Sequence, residues 1–278
     1  EVRFHTKVTG IRTKHSIDFS DEPALAMLHL EDTRTNIGED LLTDVAILAI
    51  GHSARDTFGL LNLSDIKMEP KPFAVGVRVE HPQDMIDESQ YGKNAPESLP
   101  AAAYKLTAKT KEGRGVYTFC MCPGGYVVNA SSENEMLAVN GMSYHDRSGE
   151  NANSAVIITV RPDDFPGEDV LAGVEFQRNL EHRAYEAANG KIPVQQFEDF
   201  CKNETSTALG EVKPQMRGLY ELANVRNIFP EFISRDLEET IHKFDHKIPG
   251  YARKDAIVSG VESRTSSPVR ILRDQSLQ

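Results

Sequence analysis

Cys120 and Cys122 place two thiols on the same face of a predicted β-strand, next to Pro123-Gly-Gly125, which is predicted to be a hairpin turn. Such a pair could support thiol redox chemistry or contact a substrate. A metal ion would need two more soft ligands, and the third cysteine, Cys201, stands alone in a predicted helix. We therefore interpret these thiols first as structural, keep a redox or substrate-facing role open, and predict no metal site.

His242 and His246 lie four residues apart in a predicted helix, which places both imidazoles on one helix face beside Asp245. The segment His-Lys-Phe-Asp-His lacks the glutamate that acts as the general base in zinc-binding helices. Ser53 likewise lacks the Gly-x-Ser-x-Gly turn that exposes a catalytic serine. We interpret the histidines as part of a solvated polar face and assign no catalytic acid, base or nucleophile.

The segment Arg264-Thr-Ser-Ser-Pro268 combines a guanidinium group, three hydroxyls and a rigid proline turn. Such a loop could hold a carboxylate or the polar edge of a ring through charge-assisted and hydroxyl hydrogen bonds. An ordinary Ser-Pro turn with a surface arginine is the alternative interpretation.

The apolar run Val45–Ile50 carries no charge and ends abruptly at Gly51. This pattern predicts a strand covered on both faces, whose end meets a ligand because Gly51 has no Cβ to hold a bound molecule away from the backbone. A core strand that ends in a turn is the alternative. The sequence contains neither the spaced-glycine turn of a dinucleotide fold nor the Gly-Lys-Ser/Thr loop of an NTPase, so it offers no phosphate clamp of its own.

The apolar pattern of the first part of the chain predicts a small antiparallel meander. Its strand-like segments are residues 2–6, 8–13, 25–30 and 44–50. A short helix is predicted at 56–63, and the two prolines of Met68–Pro72 indicate an extended linker.

A second region begins at Phe73, where apolar residues alternate with polar or small ones as in a half-buried strand. Further strands are predicted at 101–110, 116–122, 126–130, 155–160 and 256–261, and Ser131–Asn153 is predicted to be mostly loop. Helices are predicted from Glu168-Asp169 to just before Gly190, from Pro193 through Phe200, and from Ser234 as N-cap to Pro249-Gly250. In the third helix, Leu237, Ile241 and Phe244 are predicted to share one apolar face. The fold class is therefore α+β.

The composition restricts the partners of this protein. The 278 residues carry a formal charge of −11 without a block of lysine or arginine, so nucleic acid is not an expected partner. No apolar segment approaches the roughly 18 residues of a membrane span. Three cysteines do not make a disulfide framework, so we expect a reducing cytoplasm. The chain opens inside a predicted strand without a methionine, as a piece of a longer polypeptide would.

Several motifs resemble those of FAD-dependent oxidoreductases with two domains. Lys7-Val-Thr-Gly-Ile11, the meander and the strand ending in Ala49-Ile-Gly51 are similar to the middle of such flavoproteins. Four further motifs resemble a group of largely uncharacterised bacterial FAD-dependent dehydrogenases, and with them the resemblance extends over essentially the whole chain. These motifs are Gly51-His-Ser-Ala-Arg-Asp56, Thr118-Phe-Cys-Met-Cys-Pro-Gly-Gly125, Asn140-Gly-Met-Ser143 and Glu262-Ser-Arg-Thr-Ser-Ser-Pro268.

The resemblance implies that the chain is part of an α/β flavoprotein and that its residues belong to two domains. Residues 1–69 would be the remnant of the FAD-binding domain, residues 70–255 an inserted substrate domain, and residues 256–278 the return to the FAD-binding domain. The cofactor contacts it implies are Val8, Ala49, Ile50, Gly51, Arg264, Thr265 and Ser266. Arg78 and Cys122 would face the substrate.

The resemblance also implies what the chain lacks. In that family an N-terminal dinucleotide-binding motif and a glycine-rich segment after the present C-terminal end complete the flavin site, so we expect this fragment to purify without flavin and to be inactive. The implied partners are a small-molecule substrate and a nicotinamide or other electron partner. A self-sufficient binding module, with the Ser131–Asn153 loop facing a protein or small ligand, is the alternative function.

Overall fold

The computed structural model describes residues 1–15, 23–96 and 98–273. The chain divides into two compact units. Unit 1 comprises Glu1–Lys71, Gly167–Val174 and Ser267–Gln278, and unit 2 comprises Pro72–Pro166 and Glu175–Ser266. Helices and several antiparallel sheets are both present, so the predicted α+β class is confirmed. In the part of the chain that is described, we find no helix with the length and apolar character needed to span a membrane.

Unit 1 opens with the predicted antiparallel meander. Its strands are β1 (Thr6–His15), β2 (Pro23–Asp32) and β3 (Gly38–Leu42), in the order β1-β2-β3. The two short strands predicted at 2–6 and 8–13 are replaced by β1, which contains two register irregularities. The turn before β3 is held by Asp32, whose carboxylate accepts the backbone N–H of Arg34 at 2.9 Å.

The predicted buried strand at 44–50 is wrong for this structure. No strand is assigned there, and Val45 and Ile47 are 75% and 89% exposed. A strand needs a neighbour for its backbone hydrogen bonds, and no described strand pairs with this run. The segment therefore exposes apolar side chains of the kind that are usually buried.

The rest of unit 1 is a helix and a small two-stranded sheet. Helix α1 (Arg55–Leu63) confirms the helix predicted at 56–63. The expected linker contains strand β4 (Met68–Pro70), which pairs antiparallel with Val269–Ile271. Phe58 of α1 packs against Val174 and Val269 in a small hydrophobic cluster, with Ile50 and Leu171 at its edge.

Unit 2 is built on a seven-stranded sheet. Its members are β5 (Phe73–Pro82), β6 (Thr107–Lys109), β7 (Gly115–Cys122), β10 (Asn151–Val160), β11 (Ile192–Gln196), β13 (Tyr220–Leu222) and β14 (Ile257–Glu262), and their order is β13-β11-β14-β5-β10-β7-β6. A second sheet contains β8 (Gly125–Asn129), β9 (Val139–Ser143) and β12 (Met216–Arg217), in the order β12-β8-β9, while Val269–Ile271 is β15. Strand β14 confirms the strand predicted at 256–261 and is an interior strand of the large sheet.

Of two predictions about the connections in unit 2, the structure contradicts one and confirms the other. The turn Pro123-Gly-Gly125 joins β7 to β8, but these strands lie in different sheets and form no hairpin. Most of the segment Ser131–Asn153 is loop, as predicted, although it also contains β9 and the start of β10. Both strands contain Asn and Ser, whose local turn preference is overridden here by sheet pairing.

Strand β5 is buried on both faces, although its alternation predicted a half-buried strand. It lies between β14 and β10, and its residues from Phe73 through His81 are all buried. Val75, Val77 and Val79 form one face. On the opposite face, Arg78 and Glu80 form hydrogen bonds with other protein groups. The alternation of apolar and polar residues therefore did not indicate that the polar face is exposed to solvent.

The helices of unit 2 begin at positions other than those predicted. They are α2 (Gln83–Tyr91), α3 (Ala172–Ala187), α4 (Phe197–Lys202) and α5 (Glu231–Asp245). Pro193 lies in β11, so α4 starts only at Phe197, and Ser234 lies inside α5, where its hydroxyl bonds the carbonyl of Glu231. The apolar face predicted for α5 is confirmed, because Leu237, Ile241 and Phe244 are fully buried.

Candidate functional site

Ala49, Ile50 and Gly51, which the sequence predicts to be a ligand edge, line a surface groove of unit 1. The other lining residues are Leu48, His52, Phe58, Ser267, Val269 and Ile271. Gly51 has a φ of +73°, a conformation that favours glycine, and a Cβ added there would meet no atom within 4 Å. A ligand can therefore approach the backbone at this position without a side chain in the way.

Local structure explains how the groove forms. Pairing of β4 with β15 places Val269 and Ile271 along one side, and α1 contributes Phe58. Ile50 packs against the cluster that contains Phe58 and Val269. The walls are consequently mostly apolar, with His52 and Ser267 as the polar members. Val8 lies on β1, is 37% exposed, and is not among the lining residues.

Arg264 lies in unit 2 and is bound to a buried carboxylate. Its Nε and Nη2 atoms donate to Glu181 at 3.1 and 2.7 Å, and its Nη1 atom contacts the hydroxyl of Ser132. Glu181 is fully buried in α3 and also accepts the hydroxyl of Ser263 at 2.5 Å. The charge of Arg264 is thus balanced inside the protein, and the ion pair fixes the segment on α3.

Thr265 and Ser266, which follow Arg264, form fewer hydrogen bonds than Arg264 does. Gln177 donates to the carbonyls of Ser263 and Ser266, at 2.8 and 3.5 Å. The hydroxyl of Thr265 is buried and has no hydrogen-bond partner among the described residues. A buried hydroxyl without a partner is unfavourable, so Thr265 is the member of this loop with spare hydrogen-bonding capacity.

Arg78 is the centre of a buried polar network in unit 2. Its Nε donates to Glu262 at 2.7 Å, and its other nitrogens donate to the carbonyl of Cys120, to Asn153 and to Asn140, at 2.8, 3.1 and 2.8 Å. Arg78 is 0% exposed. Burial raises the pKa of Glu262, an effect that the Arg78 charge opposes. The guanidinium therefore joins four strands, β7, β9, β10 and β14, to β5.

Cys122 and Cys120 occupy different environments. Cys122 is buried, with its Sγ 4.0 Å from Nη1 of Arg78, and burial raises the pKa of its thiol. Cys120 is exposed and has a φ of +43° at an irregularity in the pairing of β7 with β10. The irregularity interrupts the strand alternation, so the prediction of two thiols sharing one face is wrong.

The family of the chain is shown by its sequence. A profile described as FAD-dependent protein, C-terminal domain-like, matches residues 72–265. The chain belongs to this family. The matched range is close to the range of unit 2. A protein of Clostridium beijerinckii, described only as uncharacterized, is 49% identical over 282 residues, which cover 100% of this chain and 50% of that relative. The chain thus spans about half the length of the curated relative it matches.

FAD, which the family description names, fits the unit 1 groove in part. The mostly apolar walls suit a flat ring, and Gly51 allows close approach to the backbone. The lining residues include no lysine or arginine that could balance a pyrophosphate, and the sequence has no glycine-rich phosphate loop. The groove therefore suits one apolar edge of the cofactor and not its phosphates.

The sequence interpretation missed the partners that define the polar clusters of this family member. Glu181 and Asn153 were not singled out, and Asn140 and Glu262 appeared only as the first residues of two motifs. None of the four was predicted to bind Arg264 or Arg78. One signal was available, because charged residues within the apolar strand β5 are rarely buried unless they are paired. The sequence could indicate that Arg78 needs partners, but not which residues supply them.

Proposed function

We propose that this chain forms the substrate domain and part of the FAD-binding domain of an FAD-dependent oxidoreductase. The match of residues 72–265 to an FAD-dependent protein family carries the proposal. The open groove at Ala49–Gly51 supports it, because it offers an apolar edge with free access to the backbone. The bound flavin would supply the redox chemistry, while residues of this chain hold its edge and orient a small-molecule substrate. A nicotinamide or other electron partner completes the proposal.

Ala49, Ile50 and Gly51 are our proposed cofactor contacts within unit 1. Val8 remains a further candidate there, since it lies partly exposed on β1. In unit 2, the residues Arg264, Thr265 and Ser266 remain candidates as a separate set. Because Glu181 already balances the charge of Arg264, we assign ligand hydrogen bonding to Thr265 and Ser266 and a positioning role to Arg264.

Substrate contact by Arg78 and Cys122 also stays a prediction. Both side chains are buried within unit 2, and the guanidinium is engaged by protein groups. Their role in the proposed function is therefore to hold the strands of the substrate domain together. Direct contact with a substrate would require a rearrangement of this network.

The exposed apolar run Val45–Leu48 fits the same proposal. The Clostridium beijerinckii relative is about twice as long as this chain. We therefore infer that the part of the polypeptide outside these 278 residues supplies strands that pair with the exposed run and cover it. Paired in this way, the run would become the buried strand that its sequence pattern predicts. The phosphate-binding loop would come from the same remainder.

The experiment compares two purified proteins, the 278-residue chain and the product of its complete reading frame. We expect a flavin absorption spectrum, bleached by reductant, from the complete protein and none from the 278-residue chain. Flavin bound stoichiometrically by the 278-residue chain would contradict the inference that most anchoring lies elsewhere. A complete protein that neither contains flavin nor binds added FAD would overturn the oxidoreductase proposal and favour a binding module.

A matched pair of variants tests the groove. Ala49→Phe would fill it with a bulky ring, so we expect the complete protein to lose flavin. Ile37→Phe is the control, because Ile37 is 69% exposed in the turn before β3 and lies outside the groove. Equal flavin contents in the two variants would remove Ala49–Gly51 from the cofactor site while leaving the family assignment intact.

A further inference from the structure

A cysteine, a glutamate and a histidine meet on the outer side of unit 2, where α4 and α5 come together. Cys201 is in the last turn of α4, and Glu238 and His242 are four residues apart on one face of α5. One ligand atom from each lies within 4.8 Å of the other two, and Sγ of Cys201 is 3.9 Å from Nε2 of His242. The first two are partly buried and His242 is exposed, so the cluster is accessible from solvent.

These separations are close to those of a zinc site. Zinc bonds of about 2.0–2.3 Å in tetrahedral geometry place ligand atoms roughly 3.3–3.6 Å apart. To close around a cation, each pair of ligand atoms therefore needs to approach by at most about 1.5 Å. Thiolate, imidazole and carboxylate are also the three ligand types that zinc takes in proteins.

The surroundings orient the cluster and limit its affinity. The ring of His242 lies 5.2 Å from that of Phe197, and Glu238 accepts Nη1 of Arg226 at 2.6 Å through one carboxylate oxygen. Glu238 also interacts with the thiol of Cys201 through a side-chain hydrogen bond, so a cation bound to both groups would replace the thiol proton. Arg226 already supplies one positive charge, so binding should be weaker than in a closed site with four protein ligands.

We propose that Cys201, Glu238 and His242 bind a zinc-class divalent cation and leave a fourth position for water. This departs from the sequence prediction of no metal site, which paired His242 with His246. The sequence interpretation missed the site because its thiol comes from another helix and meets α5 only in the tertiary structure. The site is independent of the proposed flavin chemistry, and its test needs no flavin.

Cobalt(II) is the probe, because a Co²⁺–thiolate bond produces a charge-transfer band that reports the cysteine ligand directly. The 278-residue chain, reduced with a phosphine, is titrated with Co²⁺, and the band is then displaced with Zn²⁺. We expect a thiolate band in the wild type and its loss in Cys201→Ser. Changing even an outer-shell partner typically weakens metal binding about 10- to 100-fold, so Glu238→Gln and His242→Gln should each weaken it more than about tenfold.

Matched controls separate this site from other thiols and imidazoles. Cys120→Ser removes an exposed cysteine, and His246→Gln removes the histidine one turn beyond His242. Both should retain the band and the wild-type affinity. The proposal is overturned if the wild type shows no thiolate band, if the band survives Cys201→Ser, or if it disappears in Cys120→Ser. Should Cys201→Ser fail to fold by far-ultraviolet circular dichroism, the exposed His242→Gln variant decides, and unchanged affinity there overturns the proposal.

Discussion

Glu80 and His81 are neighbours in β5, and their side chains are completely buried on opposite faces of the sheet. Glu80 accepts Nδ2 of Asn151 at 3.0 Å and the backbone N–H of Gln215 at 2.8 Å, through the same oxygen. His81 donates from Nε2 to the carbonyl of Tyr251 at 2.7 Å. Burial raises the pKa of Glu80 to about 7 and lowers that of His81 to about 4. Both groups are thus held towards their neutral forms.

Glu80→Gln should remove one source of pH dependence in stability. The folded pKa of about 7 lies above the ordinary 4.5, so the folded state binds the proton more tightly and stability is lost as the pH rises from 4.5 through 7. A glutamine keeps both accepted hydrogen bonds without the charge. Relative to wild type, the variant should gain about 3 kcal/mol in unfolding free energy between pH 4.5 and 8. Urea unfolding across this range measures the gain, and a pH-independent difference would contradict it.

His81→Gln should remove the opposite slope. The folded pKa of about 4 lies below the ordinary 6.5, so the folded state binds fewer protons and stability is lost as the pH falls from 6.5 through 4. Replacing the ring with a non-titrating donor should impose a constant penalty from altered packing. On top of that penalty, the variant should recover about 3 kcal/mol relative to wild type between pH 7 and 4. The same urea series tests this, with Glu80→Gln/His81→Gln expected to show both differences together.

Much of unit 2 could be predicted because its signals are local. The apolar face of α5 follows from the spacing of Leu237, Ile241 and Phe244, and the strand nature of β5 follows from alternation. Burial of β5 on both faces could not be inferred, because it depends on which strands lie beside it. Arg78 and Glu262 are separated by 184 positions, so their hydrogen bond is a property of the assembled sheet.

The groove illustrates the opposite case, in which a residue that lines a groove was singled out through a wrong element. Gly51 was singled out because an apolar run ended in glycine, and the structure does place Gly51 in a groove. The strand expected before it is absent, since strand formation requires a neighbour as well as an apolar sequence. The sequence indicated that the run prefers burial, but it could not indicate which strand would pair with it.

Gly141→Ala tests the buried network around Arg78. A Cβ at position 141 in β9 would clash with Nη1 of Arg78 and Oδ1 of Asn153. Both atoms are fixed by hydrogen bonds, so we expect a loss of about 1–3 kcal/mol in unfolding free energy, as in other overpacked interiors. Gly59→Ala in α1 is the control, because nothing lies within 4 Å of its added Cβ. That variant should be more stable by about 0.5–1 kcal/mol, and equal effects at the two positions would refute the packing assignment.

Ile47→Ala tests whether the exposed run is covered in the complete protein. In the 278-residue chain Ile47 is 89% exposed, so the substitution should change the unfolding free energy by less than about 0.5 kcal/mol. If the remainder of the polypeptide pairs with this run, the same substitution in the complete protein should cost about 2–5 kcal/mol and lower its flavin content. Ile86→Ala is the control, because Ile86 is fully buried in α2 and should cost a similar amount in both proteins. A neutral Ile47→Ala in the complete protein, alongside a destabilising Ile86→Ala, would show that the run stays exposed and would contradict the proposal that other segments pair with it.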